Sequence, residues 1–268
     1  MKLLVLLSLL TLAACSPFDF ISKGYHSLIN KLSLKASYGY AATVNQKFST
    51  TTFNCMAQAG FSVAFIQVYK PDNTGNVDYD GIQSIKNANS AGLGVEIYIN
   101  PSTDGKSAAT QFDEVYQALR SNGISVQAVW LQVTNPISWP IQTTTNINFI
   151  TSFLTRAKQY NLYLGVFTNW YDWQQITGGY TGLSSLGNVR LWYWNANGYG
   201  LNAASSMDFT DFRAFGTFTT PAVKQYSIKS NICGTTVNHN IFSTTASKKA
   251  KAISKKSENT IVVGNLQF

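Results

Sequence analysis

The stretch Ala128-Val129-Trp130-Leu131-Gln132-Val133-Thr134, followed by Asn135-Pro136 and then Trp139-Pro140, decides the fold. In an extended chain successive side chains point to opposite faces, so Val129, Leu131 and Val133 cover one face and Trp130, Gln132 and Thr134 line the other. Both faces are apolar enough for burial, yet the second ends in two neutral polar groups just before a proline-bearing loop. A buried strand that turns polar at its C-terminal end is a place to look for a site.

The same unit recurs on both sides of it. Tyr40–Val44, Phe61–Tyr69, Val95–Ile99 and Leu162–Phe167 read as further strands, rich in apolar and β-branched residues. Ser49–Ala59, Asp80–Ala91, Ser107–Ser121 and Thr143–Tyr160 read as helices, three of them ended by Gly60, Gly92 and Asn122-Gly123. Repeated strand–loop–helix units imply right-handed crossovers and a parallel sheet covered on both sides. After Phe167 the rhythm changes. Val189–Trp194, Pro221–Tyr226 and Thr235–Asn238 are strand-like, but the segments between them are loops rich in Gly, Asn and Ser. The expected fold is an α/β class, irregular TIM-like β/α barrel: about five βα units followed by three strands with few helices.

The chain of 268 residues suits one large domain of this kind, and 45% hydrophobic residues supply its core. Met1-Lys2, the apolar run Leu3–Leu12 and the small residues Ala13-Ala14-Cys15 read as a secretory signal, too short to span a bilayer. Leu12-Ala13-Ala14-Cys15 also fits a bacterial lipoprotein cleavage site. The expected division is a signal peptide at 1–15, an N-terminal extension at 16–37, the barrel at 38–242 and a Lys-rich tail at 243–268, with a secreted, extracellular location. Removal of Cys15 with the signal leaves Cys55 and Cys233, either as one disulfide or as two buried thiols. Two His and no clustered Cys give no pattern for a metal site, and nothing calls for a cofactor. Lys248, Lys249, Lys251, Lys255 and Lys256 face one Glu258, a surplus of four that is half the net charge of +8. Such a tail is a solvated segment or an attraction to anionic surfaces such as bacterial envelopes. Without aromatics it is not a nucleic-acid motif.

In a β/α barrel the site lies at the C-terminal ends of the strands. Alternation nominates an inward set of Thr43, Gln67, Tyr69, Glu96, Tyr98, Trp130, Gln132, Thr134, Phe167, Asn169, Trp192 or Trp194, Gln225 and Asn238. The set is aromatic and amidic, which suits sugars: rings stack on their apolar faces and amides bind hydroxyls. The candidate ligand-binding residues are Tyr69, Tyr98, Trp130, Asn169, Trp192 and Gln225, although large aromatics such as Trp130 and Phe167 also serve as barrel filler. Glycoside hydrolysis uses two carboxyl groups flanking the bond. Only Glu96 in this set carries one, and it is either a surviving acid or a satisfied core carboxyl. Asp72, Asp104 and Asp172 lie in loops at the same end, in contexts typical of turn formers.

Five segments together resemble family 25 glycoside hydrolases, the muramidase-type lysozymes, in their short secreted invertebrate and protist branch. They are Tyr40–Val44; Asp80–Val95 running into Glu96-Ile97-Tyr98-Ile99-Asn100-Pro101; Val129–Thr134; Val189–Tyr193; and Asp211–Gly216 through Thr220–Tyr226. The resemblance runs from about Tyr38 to Phe242. It implies an irregular β/α barrel that cleaves the β-1,4 bond between N-acetylmuramic acid and N-acetylglucosamine. The family carries Asp-x-Glu on its fourth strand, where this chain has Gln132 and Thr134. It carries an Asp on its first and last strands, where this chain has Thr43 and Asn238. All four positions are neutral, and Gln, Asn and Thr neither ionise nor deliver a proton near neutral pH. The expectation is a monomeric lysozyme-like pseudoenzyme that binds peptidoglycan or another N-acetylated glycan, with a role in antibacterial innate immunity. Two alternatives stand: an active muramidase using relocated carboxylates, and a structural or protein-interaction barrel without sugar affinity.

Overall fold

A computed structural model describes residues 38–244 and 260–266, a range that excludes the expected signal peptide, the 16–37 extension and the lysines of the tail. In chain order it contains β1 (Tyr38–Val44), α1 (Thr50–Gln58), β2 (Phe61–Lys70), β3 (Asn76–Val77), α2 (Tyr79–Ser90), β4 (Gly94–Ile99), α3 (Ala108–Ser121) and β5 (Ile124–Val126). Then follow β6 (Ala128–Gln132), α4 (Thr143–Gln159), β7 (Tyr163–Thr168), α5 (Trp170–Thr177), β8 (Val189–Trp194), β9 (Val223–Ile232), β10 (Thr235–Ser243) and β11 (Ile261–Val263). Strands β1, β2, β4, β6, β7, β8, β9 and β10 form one sheet that closes on itself where β1 pairs with β2. The eight-strand α/β barrel is therefore as expected, and its irregularity has a definite form. Strand β10 runs antiparallel to both neighbours, β9 and β1, because β9 and β10 are joined by a tight hairpin rather than a helix.

Four of the five helices, all but α4, begin where a side chain satisfies one of their first amide groups. Ser49, Asp78, Ser107 and Asn169 accept from the backbone N–H of Thr52, Gly81, Thr110 and Asp172. The apolar stripes of α1 to α5 pack on the outer barrel face, against Val44, Ile66, Ile97, Leu131 and Val166 among others. The lumen holds a separate cluster of Phe65, Tyr98, Trp130, Phe167 and Trp192. Phe167 stacks on Trp192 with centroids 4.0 Å apart, and Phe65 lies 4.4 Å from the same ring. Gly165, opposite Trp130 in the ladder, makes room for the indole: a Cβ there would lie 2.2 Å from it.

The end of the expected tail belongs to the fold. Strand β11 pairs parallel with β5, and the Gly264 N–H donates to the Val95 carbonyl at 2.8 Å. Leu266 then enters the lumen cluster from the N-terminal end of the strands. On the outside, the buried Lys224 donates to Asp211 at 2.7 Å and to the carbonyls of Ser206 and Asp208, pinning the loop after β8 to strand β9.

Cys55 on α1 and Cys233 in the β9–β10 turn form a disulfide across 178 residues of chain. Closing so long a loop stabilises by about 5 kcal/mol in the chain-entropy model. Replacing both cysteines by serine is expected to lower the unfolding free energy in urea by several kcal/mol, while the circular dichroism of the native state stays unchanged.

Candidate functional site

The mouth of the barrel is a groove in two parts, which share Gln132, Thr134 and Asn135. One part, of about 420 Å³, is bordered by Phe167, Tyr171, Asp172 and Trp194 on one side and by Gln225, Ile228 and Asn238 on the other. The second part, of about 400 Å³, is polar and is built by the loops after β2 and β4: Asn73, Asn100, Ser102, Thr103 and Asp104. The pair at the end of β6 thus sits at the junction, where an extended ligand would cross from the aromatic half to the amide half.

The neutral residues of the mouth satisfy one another. The Gln132 side-chain amide donates to Thr134 Oγ1 at 2.9 Å. Across the groove, Gln225 Oε1 accepts from Thr43 Oγ1 at 3.3 Å and from Asn238 Nδ2 at 3.1 Å, and Asn240 donates to Thr43 at 2.8 Å. The groove therefore brings together Gln132, Thr134, Gln225 and Asn238, with Thr43 bonded to the set from just inside.

Several expected site residues stand elsewhere. Tyr69 faces the helix layer and donates its hydroxyl to Glu114 at 2.9 Å. A bulge between Gln67 and Tyr69 in the β2–β4 ladder breaks the alternation that would have turned Tyr69 inward. Trp130 and Trp192 are lumen filler, each fully buried, and the Trp192 indole donates to Asn240 at 3.0 Å. Tyr98 is buried one layer beneath the mouth, edge-on to Trp192. Asn169 caps α5, accepting from the Asp172 N–H at 2.7 Å.

Glu96 lies at the base of the barrel, far down the strand from the mouth. Its carboxylate accepts from the Trp130 indole at 2.9 Å and from the Leu266 N–H at 2.8 Å. Arg190 donates to the Leu266 carbonyl at 2.7 Å and lies over the Trp130 ring. Burial pushes the Glu96 carboxyl up, against the pull of Arg190 and the two donors. It is a buried, bonded core carboxyl that locks the C-terminal segment in place.

Asp172 lies at the mouth as expected, but on a short helix rather than in a loop. Helix α5 is only two turns long, too short for a periodic stripe, and its one sequence signal is the cap Asn169 after a strand. Its Asp172 borders the groove, and its Oδ2 accepts from the Trp194 indole at 2.8 Å. Burial pushes the Asp172 carboxyl up, and the N–H groups of Trp194 and Asn135 pull it back. Among the described residues there is no group of three or more His, Cys, Asp or Glu that could hold a metal ion, and no helix long and apolar enough to cross a membrane.

The chain is similar to known proteins in sequence and in fold. A family profile described as Lysozyme-like protein 1 matches residues 34–226. Lysozyme-like protein 7 of Caenorhabditis elegans is 42% identical over 209 residues, covering 77% of this chain and 73% of that protein. The probable GH family 25 lysozyme 2 of Dictyostelium discoideum is 32% identical over 184 residues, 68% of this chain and 81% of that one. Among solved structures, a muramidase from Acremonium alcalophilum superposes with a TM-score of 0.59 at 17% identity, over 78% of this chain and 96% of that one. The family GH25 lysozyme from Aspergillus fumigatus gives 0.58 at 17% identity, over 77% and 94%.

The placement of Glu96 makes a testable distinction. Glu96→Gln turns one of its two acceptor oxygens into a donor and strips Arg190 of its charge partner. The expected result is a loss of about 1–3 kcal/mol of unfolding free energy, the cost of leaving a buried donor or acceptor unmatched. A native-like denaturation midpoint would contradict the core role.

Proposed function

We propose that this chain, which belongs to the lysozyme-like proteins of glycoside hydrolase family 25, is a secreted protein that binds peptidoglycan or a related N-acetylated glycan in its barrel mouth, with the hydrolytic chemistry of the fold reduced or lost. The observation that carries this reading is the neutral mouth. Gln132, Thr134 and Asn238 line the groove and Thr43 adjoins it, at the four places where the family resemblance implies acids. They keep the hydrogen-bonding capacity a sugar needs. They hold no group that protonates a glycosidic oxygen or bears the paired negative charge of a retaining or inverting site.

The remaining surface of the groove supports sugar binding. Tyr171 and Trp194 offer aromatic faces beside Gln225, while the other half offers the amides of Asn73 and Asn100 and the hydroxyls of Ser102 and Thr103. The N-terminal Met1–Ser16 pattern supports export, and the net charge of +8 favours an anionic cell wall at low ionic strength. A role in antibacterial defence is consistent with both.

The rival reading, an active muramidase with relocated acids, draws on Asp104 and Asp172, which border the two halves of the groove. Glu96 has no part in it, since it is bonded at the base. A plugged, non-binding barrel gains no support from residues 260–266, which pack at the end opposite the groove.

Two experiments test the proposal. Purified protein mixed with insoluble peptidoglycan is expected to co-sediment well above an unrelated protein of equal charge, and recovery only at the level of that control would refute glycan binding. Restoring the acids as Thr43→Asp, Gln132→Asp, Thr134→Glu and Asn238→Asp is expected to raise cell-wall lysis by about 10²-fold or more, the typical share of a positioned proton donor. Strong lysis by the unmodified chain, abolished by Asp172→Asn, would favour the rival instead.

A further inference from the structure

Asp172 has no counterpart among the acid positions discussed above, yet three of the loops that build the mouth converge on it. It sits in the first turn of α5, directly after β7, and is 2% exposed although it borders the groove. Its Oδ2 accepts from the indole N–H of Trp194, the last residue of β8, at 2.8 Å. The backbone N–H of Asn135, in the loop after β6, also favours its charged form. Asn135 holds a left-handed conformation with φ 58°, and its side chain donates to Ser138 Oγ at 2.6 Å. One carboxylate therefore ties the aromatic end of β8 to the helix that follows β7.

Trp194 is the residue this tie controls. It pairs with Gln225 in the β8–β9 ladder and packs in part on the lumen cluster, while the rest of its ring faces the groove. The lumen side fixes where the ring starts, but an indole with a free N–H could still swing about its side-chain torsions. The bond to Asp172 removes that freedom. A charge-assisted bond to a buried carboxylate is among the stronger orienting contacts available to an indole, and a ring already held in its bound orientation loses less freedom when a sugar stacks on it.

We propose that Asp172 is the positioning residue of the groove, holding the Trp194 indole as a preset stacking platform for an N-acetylated sugar ring. The proposal rests on the glycan-binding reading and assigns its aromatic contact to one side chain and its order to another. Asp172 itself is covered and already accepts the Trp194 indole, so it acts through Trp194 rather than by touching the ligand.

The experiment combines a ligand-free and a ligand-bound readout on the purified chain. In the ¹H–¹⁵N spectrum the Trp194 indole resonance is identified by its disappearance in Trp194→Phe. It is expected to shift clearly in Asp172→Ala and to return part of the way in Asp172→Asn, which keeps a neutral acceptor. Titration with the β-1,4 trimer of N-acetylglucosamine is expected to show about tenfold weaker binding for Asp172→Ala. Trp194→Phe is expected to lose a similar factor, and the double variant no more than either single one, since both changes break the same contact. An unmoved indole resonance in Asp172→Ala, or losses that multiply in the double variant, would overturn the proposal. If the unmodified chain ignores the trimer while the resonance still shifts, the placement of Trp194 stands and it is the glycan reading that fails.

Discussion

The interior of a closed eight-strand barrel is just wide enough for side chains to fill, and here large aromatic rings fill it, which orders everything else in the molecule. Phe65, Trp130 and Trp192 occupy the lumen completely. Whatever the protein binds must lie above them, against the last residue of each strand and the loops that follow. The same strand can therefore serve two purposes along its length. On β6, Trp130 is filler held from below by Glu96, and Gln132, two residues further on, is the floor of the groove.

The two ends of the barrel are built on opposite electrostatic plans. The base encloses a buried carboxylate and a guanidinium, with the C-terminal segment supplying backbone groups to both through Leu266. Burying such charges is costly, and the bonds from Leu266 offset part of that cost. The mouth has neutral amides and hydroxyls bonded to one another at the places where the family resemblance implies carboxylates. Desolvating amides and hydroxyls costs far less than desolvating charges, so a neutral groove can be covered by a sugar without a large penalty. Loss of catalysis and retention of binding are in this sense compatible outcomes of the same substitutions.

Much of this was legible in the sequence because periodicity carries it. The inward and outward faces of β6 and the βα units up to β7 follow from alternation and capping, and the Cys55–Cys233 disulfide is one of the two states that the sequence left open. What was not legible depends on events that leave no periodic trace. A single bulge turned Tyr69 from the lumen to the helix layer. Glu96 lies on the expected face, but the partner that makes it structural comes from Leu266, 170 residues away. Strand β11 is three residues long and follows a Lys-rich stretch, so no pattern announces it. Asp172 read as a turn former because its role is set by Trp194, which comes from the end of another strand.

The central claim is that the groove binds an N-acetylated glycan without cutting it. The most direct test is a proton NMR spectrum of a soluble tetrasaccharide of alternating N-acetylglucosamine and N-acetylmuramic acid, recorded over a day with the protein present. The account predicts broadened sugar signals that reverse on adding excess ligand, and an unchanged set of internal anomeric resonances. New reducing-end signals growing with time, or sugar lines that stay as sharp as without protein, would contradict it.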